Sequence, residues 1–327
     1  GFNLRRASMD PVLRRAAAAS PNVTLEAGAT VTDLLRDSRG RPAGIRARLS
    51  SGEHRELHAR AVVAADGRDS TVGRLARVPA RIHENARFGY FAQFRGVRLP
   101  NAAASVLWFG NPDMGYAFRN EDGITVLAAM PHRARLPEFK ADPEGSLMGH
   151  LRALPDGPDL TDAERITPVI GRLRSPCTIR KAGRPGIGFV GDAAMASDPL
   201  WGVGCGFAFQ TGDWLAQELA GPIARGEDET QIDAALARYA RRHRRALAGH
   251  QALMNDYASG RRFSLVERLL FSAAARDAIT ARHLHTLGSR MRPPQRILPA
   301  ALTRAAVVKA RGAGSSSGSA GRGLEYA

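Results

Sequence analysis

The sequence predicts an α/β (α+β) protein, and three observations carry that prediction. Two short apolar runs, 61–65 and 187–190, each end in glycine and aspartate: Asp66 with Gly67, and Gly191 with Asp192. Residues 79–180 break into strand-length apolar pieces between turn formers. From about residue 207 onward, apolar positions recur at helical spacing.

In chain order, Asp10 and Pro11 form an N-cap and first-turn pair, and Val12, Leu13, Ala16 and Ala17 continue at helical spacing until Ser20 and Pro21. Strands are expected at 23–26, 31–35, 44–49, 55–58 and 61–65, with turns at 37–40 and 51–52. The last is an unbroken apolar run, the pattern of a strand buried on both faces. The next strands fall at 88–97, 105–110, 116–118 and 124–130, with a turn at 120–123 and one helix near 144–153. Strand 187–190 opens a Gly-rich loop, followed by helices at 207–219, 232–251 and 263–287. Residues 312–323 are Gly, Ser and Ala with one Arg, which cannot offset their ordering entropy by burial, so a disordered tail is expected at 312–327.

Composition removes several classes. The chain has 327 residues, 44% hydrophobic and 24% charged, values of an ordinary globular protein rather than a disordered, collagenous or coiled-coil one. Two cysteines, Cys177 and Cys205, build neither a disulfide framework nor a four-ligand zinc site. With no signal-peptide pattern at the first residues and no apolar run near the roughly 20 residues of a membrane span, a cytoplasmic location is expected.

Lys and Arg total 47 against 31 Asp and Glu, a net charge of +16. Such a field attracts polyanions, but no zinc-finger or RNP signature accompanies it, and the run from Arg241 to Arg245 reads as a solvated helical face. Nine histidines show no metal-ligand spacing and no HExxH, so no metal is predicted. The stripe Phe263, Val266 and Leu270 suits a helix covering the core, with a basic amphipathic segment on an anionic membrane surface as the lesser alternative.

Two constellations carry chemistry. In 62–74, a strand delivers Asp66 and Gly67 ahead of Ser70 at a helix start, which places a carboxylate and bare amides at a strand end, where open α/β sheets bind ligands. Read alone, Asp-Gly is also a common turn. In 188–219, Gly191 and Asp192 are followed by small residues, then Pro199, Gly202, Val203, Gly204 and Gly206 before a helix. Phe207 takes the third glycine place, so no GxGxxG is formed. The segment instead supplies a helix N-terminus with unhindered amides, suited to an electron-rich acceptor. Cys205 reads as a small residue tolerated at close quarters, since no base adjoins it in sequence. Trp201 suits either a cavity wall or plain packing.

These motifs, in this order, resemble the group A (para-hydroxybenzoate hydroxylase-like) FAD-dependent monooxygenases. Arg6 with Met9, Asp10 and Leu13 resembles the family's second FAD-domain helix, Asp66, Gly67 and Ser70 its DG motif, and Gly191, Asp192, Pro199, Gly202 and Gly204 its GD motif. The resemblance spans about residues 1–220. It implies a partial glutathione-reductase-like FAD-binding fold with an inserted β-rich substrate domain and C-terminal helices. The domains would be 1–78 and 181–220 for FAD, 79–180 for substrate and 221–311 helical.

The resemblance further implies that Asp192 meets the ribityl hydroxyls of FAD, that Gly202, Val203 and Gly204 bring amides to the flavin pyrimidine edge, and that Arg6 faces the diphosphate side. Asp66 and Gly67 would support the motif linked to FAD and NAD(P)H, and Pro199 would stand beside the flavin. The implied activity is NAD(P)H-consuming hydroxylation or epoxidation of a small natural-product-like substrate by O₂ through a flavin C4a-hydroperoxide. A prenyl-reductase-like FAD enzyme without oxygen insertion is the alternative, with a flavin halogenase or a non-catalytic basic binding protein behind it. No Trp-x-Trp pair occurs, which counts against a halogenase. Catalytic residues are not assigned. The family's GxGxxG unit would lie upstream of Gly1, so these residues are expected to be a fragment that binds FAD poorly. Gly73 stands at the usual Arg position of the DG motif, and Arg74 follows it.

Overall fold

The computed structural model describes residues 3–100, 105–110, 112–199, 202–289 and 292–315. They divide into two compact units, Gly1–Arg241 with Asn255–Arg261, and Arg242–Met254 with Arg262–Ala327. The fold is mixed α/β, as the sequence predicts.

The first unit opens with helix α1 (Arg6–Ala18), which begins four residues before the predicted start. Asp10 is not its N-cap, and Pro11 lies inside it. The cause is remote: the Glu121 carboxylate accepts hydrogen bonds from the Arg5 backbone N–H and the Ser8 hydroxyl, doing from a distant turn what a local cap would do. Strands β1 (Thr30–Arg36), β2 (Pro42–Arg48) and β3 (His54–His58) form an antiparallel meander. The expected strand at 23–26 does not form; those residues have no regular structure.

Strand β4 (Val62–Ala64) enters a different sheet and is followed by the short helix α2 (Thr71–Leu75). Its burial alternates, with Val62 and Ala64 buried and Val63 49% exposed, so the expectation of burial on both faces fails. After β5 (Arg81–His83), a sheet of β6 (Gly89–Arg95), β7 (Ser105–Phe109), β8 (Met114–Arg119) and β9 (Thr125–Met130) takes over, joined by β10 (Glu164–Arg165) and β11 (Ile170–Arg172) on β6.

Two helices, α3 (Leu136–Ala141) and α4 (Pro143–Arg152), accompany this sheet where one was expected. Asp142 separates them, its carboxylate capping α4 at Gly145 N–H. Phe88, Tyr90 and Phe139 make the aromatic centre of its core, with ring centroids 5.3–5.8 Å apart.

The chain then forms β12 (Cys177–Ile179), β13 (Gly183–Arg184), β14 (Ile187–Phe189) and β15 (Met195–Ala196). β14 lies parallel to β4 with Ile187 opposite Val62 and Phe189 opposite Ala64, and the Val190 N–H donates to Ala64 O beyond the pair. Helix α5 (Gly204–Ala224) packs under this loop, and α6 (Glu229–Ala258) follows. The Tyr239 hydroxyl, on α6, donates to Phe189 O at 2.7 Å.

In the second unit the single helix expected at 263–287 is two, α7 (Leu265–Ala274) and α8 (Ala278–Gly288), because Asp277 caps a new helix at the Thr280 N–H. Ser264 and Glu267 close a capping box on α7. Leu270 and Ala273 pack with Ala301 and Ala305 of α9 (Pro294–Ser315), while Val266 of the predicted stripe is exposed. The last helix runs four residues into the segment expected to be disordered; residues 316–327 lie outside the described residues.

Candidate functional site

Parallel strands end at the same edge of their sheet, so β4 and β14 deliver their two acidic residues side by side. Asp66 and Asp192 line one cavity of about 660 Å³, together with Arg68, Phe91, Tyr116, Met130 and Pro199. Asp192 also lines a second cavity of about 460 Å³, with Arg6, Gly67, Gly204 and Cys205. It is common to the walls of both.

Asp192 reaches that position because Gly191 turns at φ +55°, a left-handed conformation that favours glycine. The Gly191 N–H donates to Thr211 Oγ1 at 2.8 Å, and a Cβ on Gly191 would lie 3.1 Å from that of Ala208, so the strand end sits tightly on α5. Burial pushes the Asp192 carboxyl up from its ordinary range, and the Arg68 and Arg6 guanidiniums pull it back down in part. Arg68 Nη2 lies 4.0 Å from Asp192 Oδ2 and donates to Ser197 O.

Asp66 has a different task. Its Oδ1 accepts from the Ser70 hydroxyl at 2.6 Å and its Oδ2 from the Val72 N–H at 2.9 Å, while Ser70 Oγ accepts from the Gly73 N–H. The carboxylate therefore fixes the turn through Gly67 (φ +82°) into α2. A Cβ on Gly73 would lie 2.9 Å from Arg180 Cζ. Arg180, from the end of β12, occupies the space above Gly73, donates to Ala193 O and stacks over Phe189.

The N-terminus of α5 completes the arrangement. Val203 is its N-cap and provides no side-chain bond, so the first amides from Gly204 onward carry no side-chain cap. Gly202 turns at φ +61°, and a Cβ on Gly202 or Gly206 would meet nothing within 4 Å. Arg6 is bidentate to Asp10, at 2.6 and 2.7 Å, on the wall of the smaller cavity. The structure thus brings Arg6, Gly67, Asp192 and Gly204 to one cavity and Asp66, Asp192 and Pro199 to the other. Gly202 and Val203 form the turn into α5 and line neither. Trp201 lies outside the described residues.

Sequence reasoning missed Arg68, although it lies inside the DG segment, and it missed the buried pair Arg87 and Asp198, whose Nη1 and Oδ2 are 3.3 Å apart. Tyr116 also escaped; burial pushes its phenol up to about 12, so it stays protonated at neutral pH. None of these had a local signal, because their neighbours come from remote strands.

Residues 3–141 match the family of the FAD binding domain. No curated protein matches the chain in sequence. Among solved structures, the chain is similar to the flavin-dependent brominase Bmp2, with 17% identity, 94% of this chain and 76% of that one covered, and a TM-score of 0.70. It is also similar to the myxobacterial chondrochloren halogenase CndH (20% identity, 86% and 68% covered, TM-score 0.68). A third is p-nitrophenol 4-monooxygenase PnpA from Pseudomonas putida DLL-E4 (16% identity, 88% and 73% covered, TM-score 0.65). At these identities the likeness shows the fold, that of FAD-dependent halogenases and monooxygenases. The family match bears out the resemblance over the segment that holds the DG motif, and with the fold it supports an FAD-dependent oxidoreductase. Among the described residues, no helix is long and apolar enough to cross a membrane.

Proposed function

We propose that this chain carries the flavin-ring and substrate side of an FAD-dependent, NAD(P)H-consuming monooxygenase that hydroxylates or epoxidises a small organic molecule. The observation that carries the reading is the convergence of Asp66 and Asp192 on one cavity beside the uncapped start of α5. The residues present fit FAD: open glycines at 202 and 206 leave room for a close planar neighbour, and a half-exposed carboxylate faces both cavities. FAD, when bound, supplies the redox chemistry and oxygen activation.

The rest falls to the chain's own groups. Asp192 would accept hydrogen bonds from polyol hydroxyls, held in place by Gly191, Thr211 and Arg68. The Gly204 end of α5 would donate amides where negative charge gathers on a reduced ring, at little reorganisation cost. Arg6, already paired with Asp10, would stand on the diphosphate side as a hydrogen-bond donor. Phe91, Tyr116 and Met130 would line the substrate cavity and limit water there.

Turnover under ¹⁸O-labelled dioxygen, with FAD and NADPH supplied, tests the reading by mass spectrometry. Label in the product supports it. A reduced, unlabelled product favours the reductase alternative instead.

A further inference from the structure

The 660 Å³ cavity has one feature that its cofactor-facing residues leave unexplained. Asn85 and Arg87 both line it, with 2% and 0% of their surfaces exposed, and each carries a buried N–H₂ group that has no hydrogen-bond partner, Asn85 Nδ2 and Arg87 Nη2. Buried polar groups are nearly always paired, because an unmet donor keeps its full desolvation cost. Two such donors, two residues apart in sequence on the wall of one cavity, mark a place where an acceptor is needed.

The rest of Arg87 is fully engaged. Its Nε donates to Pro112 O at 3.0 Å, Nη1 donates to Tyr257 O at 2.9 Å and to Asp198 Oδ2 at 3.3 Å, and the guanidinium lies 4.4 Å from the Tyr257 ring centroid. Asn85 is held the right way round, since its Oδ1 accepts from the Arg87 backbone N–H at 2.9 Å and leaves the amide nitrogen as the spare donor.

The charge of Arg87 is already neutralised by the equally buried Asp198. Around the cavity, Arg68 and Arg172 face Asp66, Asp69 and Asp192, so no surplus of positive charge invites an anion. The surrounding surface from Phe91, Tyr116, Met130 and Ile170 is aromatic and aliphatic.

We infer that Asn85 and Arg87 are substrate-binding residues that hold a neutral carbonyl oxygen, selecting an aromatic or conjugated ketone-type substrate over a carboxylate. A carbonyl oxygen has two lone pairs for two donors and brings no charge into a balanced site. A carboxylate would add an uncompensated negative charge beside Asp198. This inference rests on the proposed substrate role of the cavity and names the class of molecule it takes.

Calorimetric titration of the full chain with three shape-matched probes tests it: 2-acetylnaphthalene, 2-isopropylnaphthalene and 2-naphthoate. The acetyl compound should bind about tenfold or more tightly than either of the others, since a site built to hydrogen-bond a group strongly rejects analogues lacking it. In Asn85→Asp, which keeps the Oδ1 acceptor, and in Arg87→Lys, which keeps the charge beside Asp198, that preference should shrink toward unity.

Equal binding of the isopropyl probe, tighter binding of naphthoate, or no binding of the acetyl probe overturns the inference. So does a preference that survives in both variants. If the variants fail to fold, the wild-type ratio still decides. Flavin binding is measured separately: a carbonyl preference without flavin binding leaves this inference standing and removes the flavoenzyme reading, and flavin binding without the preference does the reverse.

Discussion

Val63 and Gly188 are register partners on adjacent parallel strands, and three and four residues further on the two strand ends present Asp66 and Asp192 to one cavity. That pairing turns two separate local motifs into a single site. The two carboxylates then diverge in use. Asp66 spends its oxygens on the Ser70 hydroxyl and the Val72 amide, whereas Asp192 keeps a face open to both cavities.

Asp192 should therefore trade stability for binding. Its carboxyl is raised above the ordinary range, mainly by burial, so the unfolded chain releases this proton at lower pH than the folded one. The contribution makes stability fall as pH rises through the window above the ordinary carboxyl pKa, and Asp192→Asn removes that loss. The variant should have a higher denaturation midpoint at pH 7 than the wild type, a smaller gain toward acid, and weaker FAD binding by fluorescence titration. A lower midpoint with unchanged FAD binding would refute this assignment.

Thr211 fixes the strand end that carries Asp192. Its Oγ1 accepts from the buried Gly191 N–H and donates to Phe207 O at 2.6 Å. Thr211→Val keeps the shape but leaves that amide unmet, which should cost about 1–3 kcal/mol in urea unfolding. Thr211→Ser should restore most of it.

Gly73 should not tolerate a side chain. A Cβ there would lie 2.9 Å from Arg180 Cζ and 3.0 Å from Ser70 Oγ, and Arg180 is anchored to Ala193 O. Gly73→Ala should destabilise by roughly 1–3 kcal/mol, the range for overpacking a filled site. Pairing it with Arg180→Ala should relieve part of that cost in a double-mutant cycle. Strict additivity of the two changes would mean that they do not share the space.

Acid should act on the second unit through His243, which is buried, with its pKa lowered from 6.5 to about 4 by desolvation. Between those values the unfolded chain takes up a proton that the folded chain refuses, so stability is full above pH 6.5 and falls on acidification, by up to about 3 kcal/mol. Chemical denaturation at pH 7 and 4.5 should register the drop, and His243→Gln should reduce it. Equal pH sensitivity in the two proteins would assign it elsewhere.

The parts of the fold legible in the sequence are those with local causes. Asp-Gly and Gly-Asp at the ends of apolar runs marked both site loops, whereas α5, expected from 207 after the glycines, begins at Gly204 and takes Gly204 and Gly206 into its first turn. Remote contacts account for the failures. α1 begins at Arg6 because Glu121, more than a hundred residues away, binds Arg5 and Ser8, and the Ser8 hydroxyl holds the Glu121 carboxyl down at about 2. Arg87 meets Asp198 across 111 positions, and Arg180 covers Gly73 from another strand, pairings that no periodicity announces. The break between α7 and α8 was local and readable, since Asp277 precedes Thr280 at N-cap spacing.

In the proposed site the start of α5 receives the flavin ring and Asp192 its polyol chain. Hydrogen–deuterium exchange of the full chain at high FAD concentration tests it most directly. Exchange should slow at the amides of Gly204, Cys205 and Gly206 and in the Gly191–Ala193 turn, and the effect should vanish in Asp192→Ala. Unchanged exchange at these amides, or protection confined to other segments, would contradict it.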